Sequence, residues 1–276
     1  MDPAEIANLF SLAHGFRLAD NGQQQANITA CPMASIRCAT RRFSPVEAIV
    51  FDKDGTLCDA AEYLRTLALR RARRLDAKVP GVGDALLFAF GLEGDRLAPA
   101  GLMNVGSRRE NEVAAAAFLA EKGIAWREAL RLAEESFAEA EAQFPRLQHA
   151  PIFPDVRATF ERLAAAGLKL AVLSTDTTAN VETFVTHHGL TAYVQAAWGA
   201  EGLVAKPDPV VLERLSAMLG TAPRSTLVVG DSPIDIELAQ RAGAAGVVAV
   251  ARGLTPAADL AAADCVIAAI EQLTVD

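Results

Sequence analysis

The sequence predicts an α/β protein built on a doubly wound, Rossmann-like parallel sheet, with an all-helical domain inserted after the first strand. Short apolar runs that end in polar residues recur along the chain, as expected for buried parallel strands. From residue 155 onwards these runs alternate with helical patterns, which favours right-handed crossovers between parallel strands. Residues 59–149 are rich in Ala, Leu, Glu and Arg and show no strand pattern.

These patterns divide the chain into three parts. Residues 1–45 show no strong periodicity and are predicted to be a loosely ordered N-terminal extension. Residues 46–58 and 150–276 are predicted to form the α/β core, and residues 59–149 the helical insert. For the extension, translation from Met33 and a targeting segment stay open as alternatives.

Each predicted element has a local reason. The strands are apolar runs bounded by turn residues, and the helices begin at capping residues or end at glycine or proline. Ser107 and Glu110, for example, have the spacing of a capping box. The predicted strands are 46–51, 168–173, 194–198, 226–230, 246–250 and 264–267. The predicted helices are 60–77, 107–122, 126–144, 155–166, 179–188, 208–219 and 233–242, with a short one near 3–12.

Composition narrows the classes of function. The 276-residue chain is 51% apolar and carries a net charge of −8, with no basic stripe, so nucleic acid is not an expected partner. No apolar stretch reaches transmembrane length, so no membrane association is expected. The four cysteines have no disulfide-like spacing, which favours the reducing cytoplasm. The oligomeric state is not determined by these features.

The first strand ends in a motif that suits phosphate chemistry. Asp52 and Asp54 lie two residues apart at its carboxyl end, the edge where open α/β sheets bind ligands. Gly55 follows directly and allows a sharp turn and a close backbone approach to an anion. Paired carboxylates beside exposed backbone N–H groups can hold Mg²⁺ and a phosphate together.

Two later strands end in matching polar groups. Strand 168–173 is followed by Ser174 and Thr175, and strand 226–230 is followed by Asp231 and Asp235. Lys206 lies between these two strands in the sequence. Each residue also has a local structural explanation, such as a helix cap for Asp231. Together they supply hydroxyl donors, metal-binding carboxylates and a fixed cation, which phosphoryl transfer requires.

In this order, the four segments resemble the four motifs of the haloacid dehalogenase superfamily, from about Val46 to the C-terminus. The insert resembles that superfamily's helical cap of the first class, and the chain most resembles phosphoglycolate-phosphatase-like hydrolases. The resemblance implies that Asp52 is a nucleophile that forms an aspartyl-phosphate, and that Asp54 is the general acid and base. It also implies that Mg²⁺ is held by Asp52, Asp54, Asp231 and Asp235.

The same resemblance assigns the remaining groups. Ser174, with backbone N–H groups near Thr175 and Gly55, would hold the phosphoryl oxygens, and Lys206 would offset negative charge. The substrate would be a small phosphate monoester, such as phosphoglycolate or a sugar phosphate. A sugar phosphomutase and a non-catalytic phosphate-sensing or interaction module stay open, whereas Asp54 disfavours a dehalogenase.

Substrate selection is expected in the insert, because the core motifs bind only the phosphoryl group and Mg²⁺. Arg108 and Arg109 open the helix predicted after Gly106, and either could grip a carboxylate or second phosphate of the substrate. The alternative is that both arginines lie on a solvated helix face.

Overall fold

The computed structural model describes residues 34–200 and 204–276. The predicted helix near residues 3–12 and the alternative start at Met33 lie outside these residues. The strands are β1 (Ala34–Cys38), β2 (Arg41–Val46), β3 (Ala48–Asp52), β4 (Leu92–Glu93), β5 (Arg96–Leu97), β6 (Lys169–Leu173), β7 (Val194–Trp198), β8 (Thr226–Gly230), β9 (Gly246–Val250), β10 (Cys265–Ile267) and β11 (Leu273–Val275). The helices are α1 (Ala61–Lys78), α2 (Gly83–Phe90), α3 (Leu102–Val105), α4 (Arg108–Glu121), α5 (Trp126–Ala142), α6 (Arg146–His149), α7 (Val156–Ala165), α8 (Thr178–His187), α9 (Pro209–Met218) and α10 (Pro233–Ala242).

The core is a six-stranded parallel sheet in the order β10-β9-β8-β3-β6-β7. The first core strand, β3, therefore lies in the middle, with β6 and β8 on either side. Its alternate residues face opposite layers: Ile49 and Phe51 pack with α7 and α8, and Ala48 and Val50 with α9 and α10. The predicted doubly wound α/β fold is confirmed.

The N-terminal segment differs from its prediction. Residues 34–45 were expected to be loosely ordered, but they form a hairpin of β1 and β2, and β1 also pairs with the last strand, β11. Cys38 and Cys265 form a disulfide, which the cysteine spacing did not predict. The pairing of β1 with β11 and the disulfide join segments more than 200 residues apart (227 between the cysteines), so local sequence patterns do not indicate them.

The insert contains α1 to α6 and is helical except for the short hairpin of β4 and β5. That hairpin and α2 were not predicted, because two-residue strands and an eight-residue helix leave too little periodicity in the sequence. The capping box is present as predicted: Ser107 accepts from Glu110 N–H, and the Glu110 carboxylate accepts from Ser107 N–H.

In the part of the chain that the structure describes, no helix combines the length and apolarity needed to cross a membrane.

Candidate active site

The three central strands of the sheet bring the predicted site residues together. Asp52 ends β3 in register with Leu173 of β6, so Ser174 follows at the same edge. β8 pairs with the other side of β3, which places Asp231 at that edge as well. A cleft of about 700 Å³, open to solvent, lies between this edge and the insert. Its charged and polar lining comprises Asp52, Asp54, Arg71, Asn104, Arg108, Asn111, Arg146, Ser174, Thr175, Asp176, Lys206, Asp231 and Ser232.

Lys206 bridges two of the carboxylates. Its Nζ donates to Asp52 Oδ1 at 2.6 Å and to Asp235 Oδ1 at 2.7 Å, and its side chain is only 2% exposed. Burial by itself favours the neutral amine and lowers the pKa of Lys206. The negative charges of Asp235 and Asp52 outweigh the effect of burial and raise that pKa above its usual value. Lys206 is therefore a permanent cation beside Asp52.

Asp52, Asp231 and Asp235 form a compact cluster in which one oxygen from each lies within 4.8 Å of the others. Burial raises the pKa of Asp52 to about 7, with Asp235 adding to the effect and Lys206 opposing it. Burial and the charges of Asp52 and Asp235 also hold the pKa of Asp231 well above its usual range. Repulsion among converging carboxylates is relieved by a bound cation, so this cluster fits a divalent ion.

Two glycines enclose the carboxylate of Asp231. A Cβ atom on Gly55 or on Gly253 would collide with Asp231 Oδ2, and Gly55 has a φ of +79°, which favours glycine. The Gly55 N–H donates to the carbonyl of Cys58 at 2.9 Å, so it is not free to hold a phosphoryl oxygen as the sequence suggested. The place of Gly55 is beside Asp231 instead, because the loop after β3 folds back on itself.

Ser174 and Thr175 follow β6 and line the cleft. Ser174 is 2% exposed, and its Oγ accepts from the Asp176 N–H at 3.1 Å. Its hydroxyl donates to no other group within residues 34–200 and 204–276, so it can donate to a ligand in the cleft.

The carboxylate of Asp54 does not belong to the metal-type cluster. It accepts from Lys53 Nζ at 3.0 and 2.9 Å and from Arg146 at 2.5 Å, and the Cys58 thiol donates to it at 3.3 Å. Burial would favour its protonated form, but Arg146 and Lys53 lower the pKa of Asp54. Of the predicted metal-binding carboxylates, Asp54 could contribute only through its backbone carbonyl in this arrangement.

Sequence analysis missed the groups that hold Asp54. Lys53 has a completely buried side chain and also pairs with Asp176 at 3.2 Å, and Arg146 lies 3.3 Å from Asp176. The ion pairing of Lys53 could have been predicted from the sequence, since a lysine between two aspartates at a buried strand end needs a partner. The ion pairing of Arg146 could not, because it is 92 residues from Asp54.

The two arginines predicted for substrate binding take different positions. Arg108 lines the cleft and pairs with Glu112 at 2.9 Å and with Glu141. Arg109 is 47% exposed, pairs with Glu134 at 2.7 Å and is not part of the cleft lining, so its prediction is wrong in this structure. Adjacent helical positions point about 100° apart, which allows Arg108 to face the cleft while Arg109 points away from it.

A further arginine, Arg71 of α1, joins Arg108 at the cleft. It is 5% exposed and donates to Glu141 at 2.5 Å, so Glu141 connects the two guanidinium groups. The insert side of the cleft thus holds two guanidinium groups, one buried and one partly buried, that share the carboxylate of Glu141.

Comparisons with known proteins agree with this geometry. Residues 46–243 match the family model of haloacid dehalogenase-like hydrolases. A phosphoglycolate phosphatase of Yersinia pestis is 30% identical over 205 residues, which cover 73% of this chain and 80% of the relative. The solved structure of a predicted phosphoglycolate phosphatase from Haemophilus somnus 129pt has a TM-score of 0.61 at 24% identity and covers 82% of this chain and 95% of its own. A candidate β-phosphoglucomutase from Thermotoga maritima has a TM-score of 0.56 at 21% identity, with 82% and 96% covered.

The chain therefore belongs to the haloacid dehalogenase-like hydrolases. Within that family it is an enzyme of the phosphatase type and is similar to phosphoglycolate phosphatases.

Proposed function

We propose that this chain is a Mg²⁺-dependent phosphatase that hydrolyses a small phosphate monoester through an aspartyl-phosphate on Asp52. The observation that carries this proposal is the cluster of Asp52, Asp231 and Asp235 beside Lys206 on the core side of the cleft. It combines a nucleophilic carboxylate, an oxygen-rich cation site and a fixed positive charge within one small volume.

The donor set fits Mg²⁺, which prefers carboxylate and carbonyl oxygens and keeps several waters. Asp52 and Asp231 would hold the ion, with Asp235 as a direct or water-mediated partner and the backbone carbonyl of Asp54 as a further donor. When bound, the ion would offset the negative charges of the carboxylates and the phosphate. Lys206 already neutralises part of that charge.

In the first step, a carboxylate oxygen of Asp52 forms a bond to phosphorus while the bond from phosphorus to the leaving oxygen breaks. Asp54 gives its proton to that oxygen. In the second step, Asp54 accepts a proton from water as the water attacks phosphorus, and the bond to Asp52 breaks to release phosphate. Ser174 donates a hydrogen bond to a phosphoryl oxygen during both steps.

The contacts of Asp54 suit the second step directly, because Lys53 and Arg146 hold it as a carboxylate. The first step needs the protonated form. An incoming phosphate brings negative charge close to Asp54, which raises the proton affinity of a carboxylate.

We further propose that the leaving group carries an anionic or polyhydroxylated part that meets Arg71 and Arg108. Both belong to helices of the insert and line the cleft. A phosphoglycolate-like ester or a sugar phosphate has a group of this kind, and the curated relatives are named for phosphoglycolate.

The test is phosphate release from a panel of monoesters with Mg²⁺, and with a chelator in its place. We expect release that requires the metal and that disappears in Asp52→Asn, since an amide cannot form the acyl phosphate. Asp84→Asn, at an exposed position of α2, is the matched control and should keep full activity. Substantial turnover by Asp52→Asn, or full activity without metal, would overturn the proposal. Transfer of the phosphoryl group to a sugar phosphate rather than to water would identify a phosphomutase instead.

A further inference from the structure

Asp54 belongs to a closed ring of four alternating charges. Lys53 contacts Asp54 and Asp176, and Arg146 contacts the same two carboxylates from the other side. The ring carries no net charge, and its side chains are between 0% and 20% exposed. Each carboxylate is therefore shared by two cations.

The members of the ring come from different parts of the molecule. Lys53 and Asp54 follow β3, and Asp176 follows β6, so all three belong to the core. Arg146 begins α6, the last helix of the insert, and its guanidinium also lies 4.5 Å above the ring of Tyr63 in α1. The ring thus joins the insert to the core at the carboxylate proposed as the acid and base.

The two cations hold Asp54 in different ways. Lys53 contacts both oxygens almost equally, at 3.0 and 2.9 Å, and lies entirely within the core. Arg146 contacts only Oδ1 of Asp54 and belongs to the insert. The contact of Lys53 with Asp54 therefore lies within the core, whereas the contact of Arg146 crosses from the insert to the core.

We propose that Arg146 is a positioning residue that aligns Asp54 with the leaving group when the insert closes over the core. The inference rests on the proposed function, because it assigns Arg146 a part in proton transfer to the leaving oxygen. It links closure of the cleft to the step that needs an aligned acid, so chemistry begins only after the substrate is enclosed.

The test compares Arg146→Met with Arg74→Met. Methionine keeps an unbranched apolar stem for packing against Tyr63 but removes the charge. Arg74 is the matched control: it pairs with Glu139 at 2.7 Å between α1 and α5, wholly inside the insert, and is not part of the cleft lining. Thermal unfolding first establishes that both variants are folded.

The kinetic measurement is kcat/KM on an alkyl phosphate, which needs a proton on its leaving oxygen, and on 4-nitrophenyl phosphate, which does not. For Arg146→Met we expect a loss of about 10²-fold on the alkyl ester and less than about 5-fold on the aryl ester, with a change in kcat rather than KM. Arg146→Lys should recover part of the loss, because lysine keeps the positive charge but not the planar, forked guanidinium. An equal loss on both esters, or no loss on the alkyl ester, would overturn the inference.

A second measurement does not depend on catalysis. Hydrogen exchange in the Arg146–His149 segment should become faster in Arg146→Met than in Arg74→Met, because the contact with the core is lost. Unchanged exchange there would overturn the inference whatever the activity. Faster exchange in a protein that releases no phosphate would overturn the proposed function, and with it the part of Arg146 in that reaction.

Discussion

Binding of Mg²⁺ should stabilise this protein more strongly in alkaline than in acidic solution. The perturbation is the addition of saturating Mg²⁺ to metal-free protein at about pH 5.5 and about pH 8, on either side of the raised pKa of Asp52. Because that pKa is raised above the unfolded value, the metal-free fold gains stability from protonated Asp52 at low pH. This gain is lost as the pH rises through about 7.

The magnitude follows from the two pKa values. With a folded pKa of about 7 and an unfolded one of 3.8, Asp52 makes the metal-free fold about 2 kcal/mol more stable at about pH 5.5 than at about pH 8. A bound cation keeps Asp52 ionised at both pH values and removes this difference. Asp231, whose pKa is also raised, adds in the same direction.

The assay is thermal unfolding with and without Mg²⁺ at each pH. The metal-induced rise in Tm should be larger at the higher pH by about 4–8 °C. Groups that titrate far from the metal, such as His188, change the Tm equally with and without Mg²⁺ at a given pH. Their contribution therefore cancels when the two Tm values are subtracted. In Asp52→Asn the difference between the metal-induced rises in Tm at the two pH values should become smaller, because the titrating carboxylate is gone. An equal rise at both pH values, or a larger one at low pH, would refute the assignment of the carboxylate cluster as a cation site.

Three further predictions concern other parts of the molecule. Asp54→Asn should lose about 10²-fold or more in kcat/KM on alkyl phosphates and far less on aryl phosphates, because only the former need an acid; an equal loss would make Asp54 structural. Arg108→Ala should lower kcat/KM on the best natural substrate by about 10²-fold and spare a small aryl phosphate, whereas Arg109→Ala should change neither. A chain that starts at Met33 keeps β1 and should retain its Tm and turnover per folded molecule; a fall in either would show that the preceding residues stabilise the protein or its site.

The core and its motifs were predictable because their signals are local. A buried parallel strand is a short apolar run, and the polar residues after it lie at the edge where neighbouring strands also end. Strands β7 and β9 and helix α10 begin and end where the sequence predicted. Asp52, Ser174, Lys206 and Asp231 meet at that edge because topology places the three strand ends side by side.

The sequence by itself determined the fold class, the insertion of a helical block after the first core strand and the groups available for phosphoryl transfer. Only the tertiary structure decided the partners of those groups. In the folded protein, Arg146 contacts Asp54 and Arg109 lies outside the cleft. The Gly55 N–H donates within its own loop, and β1 pairs with β11 at the end of the chain. The physical reason is range: strand and helix periodicity depends on neighbours along the chain. An ion pair or a sheet edge instead depends on how segments tens to hundreds of residues apart pack together, such as the 92 residues between Asp54 and Arg146.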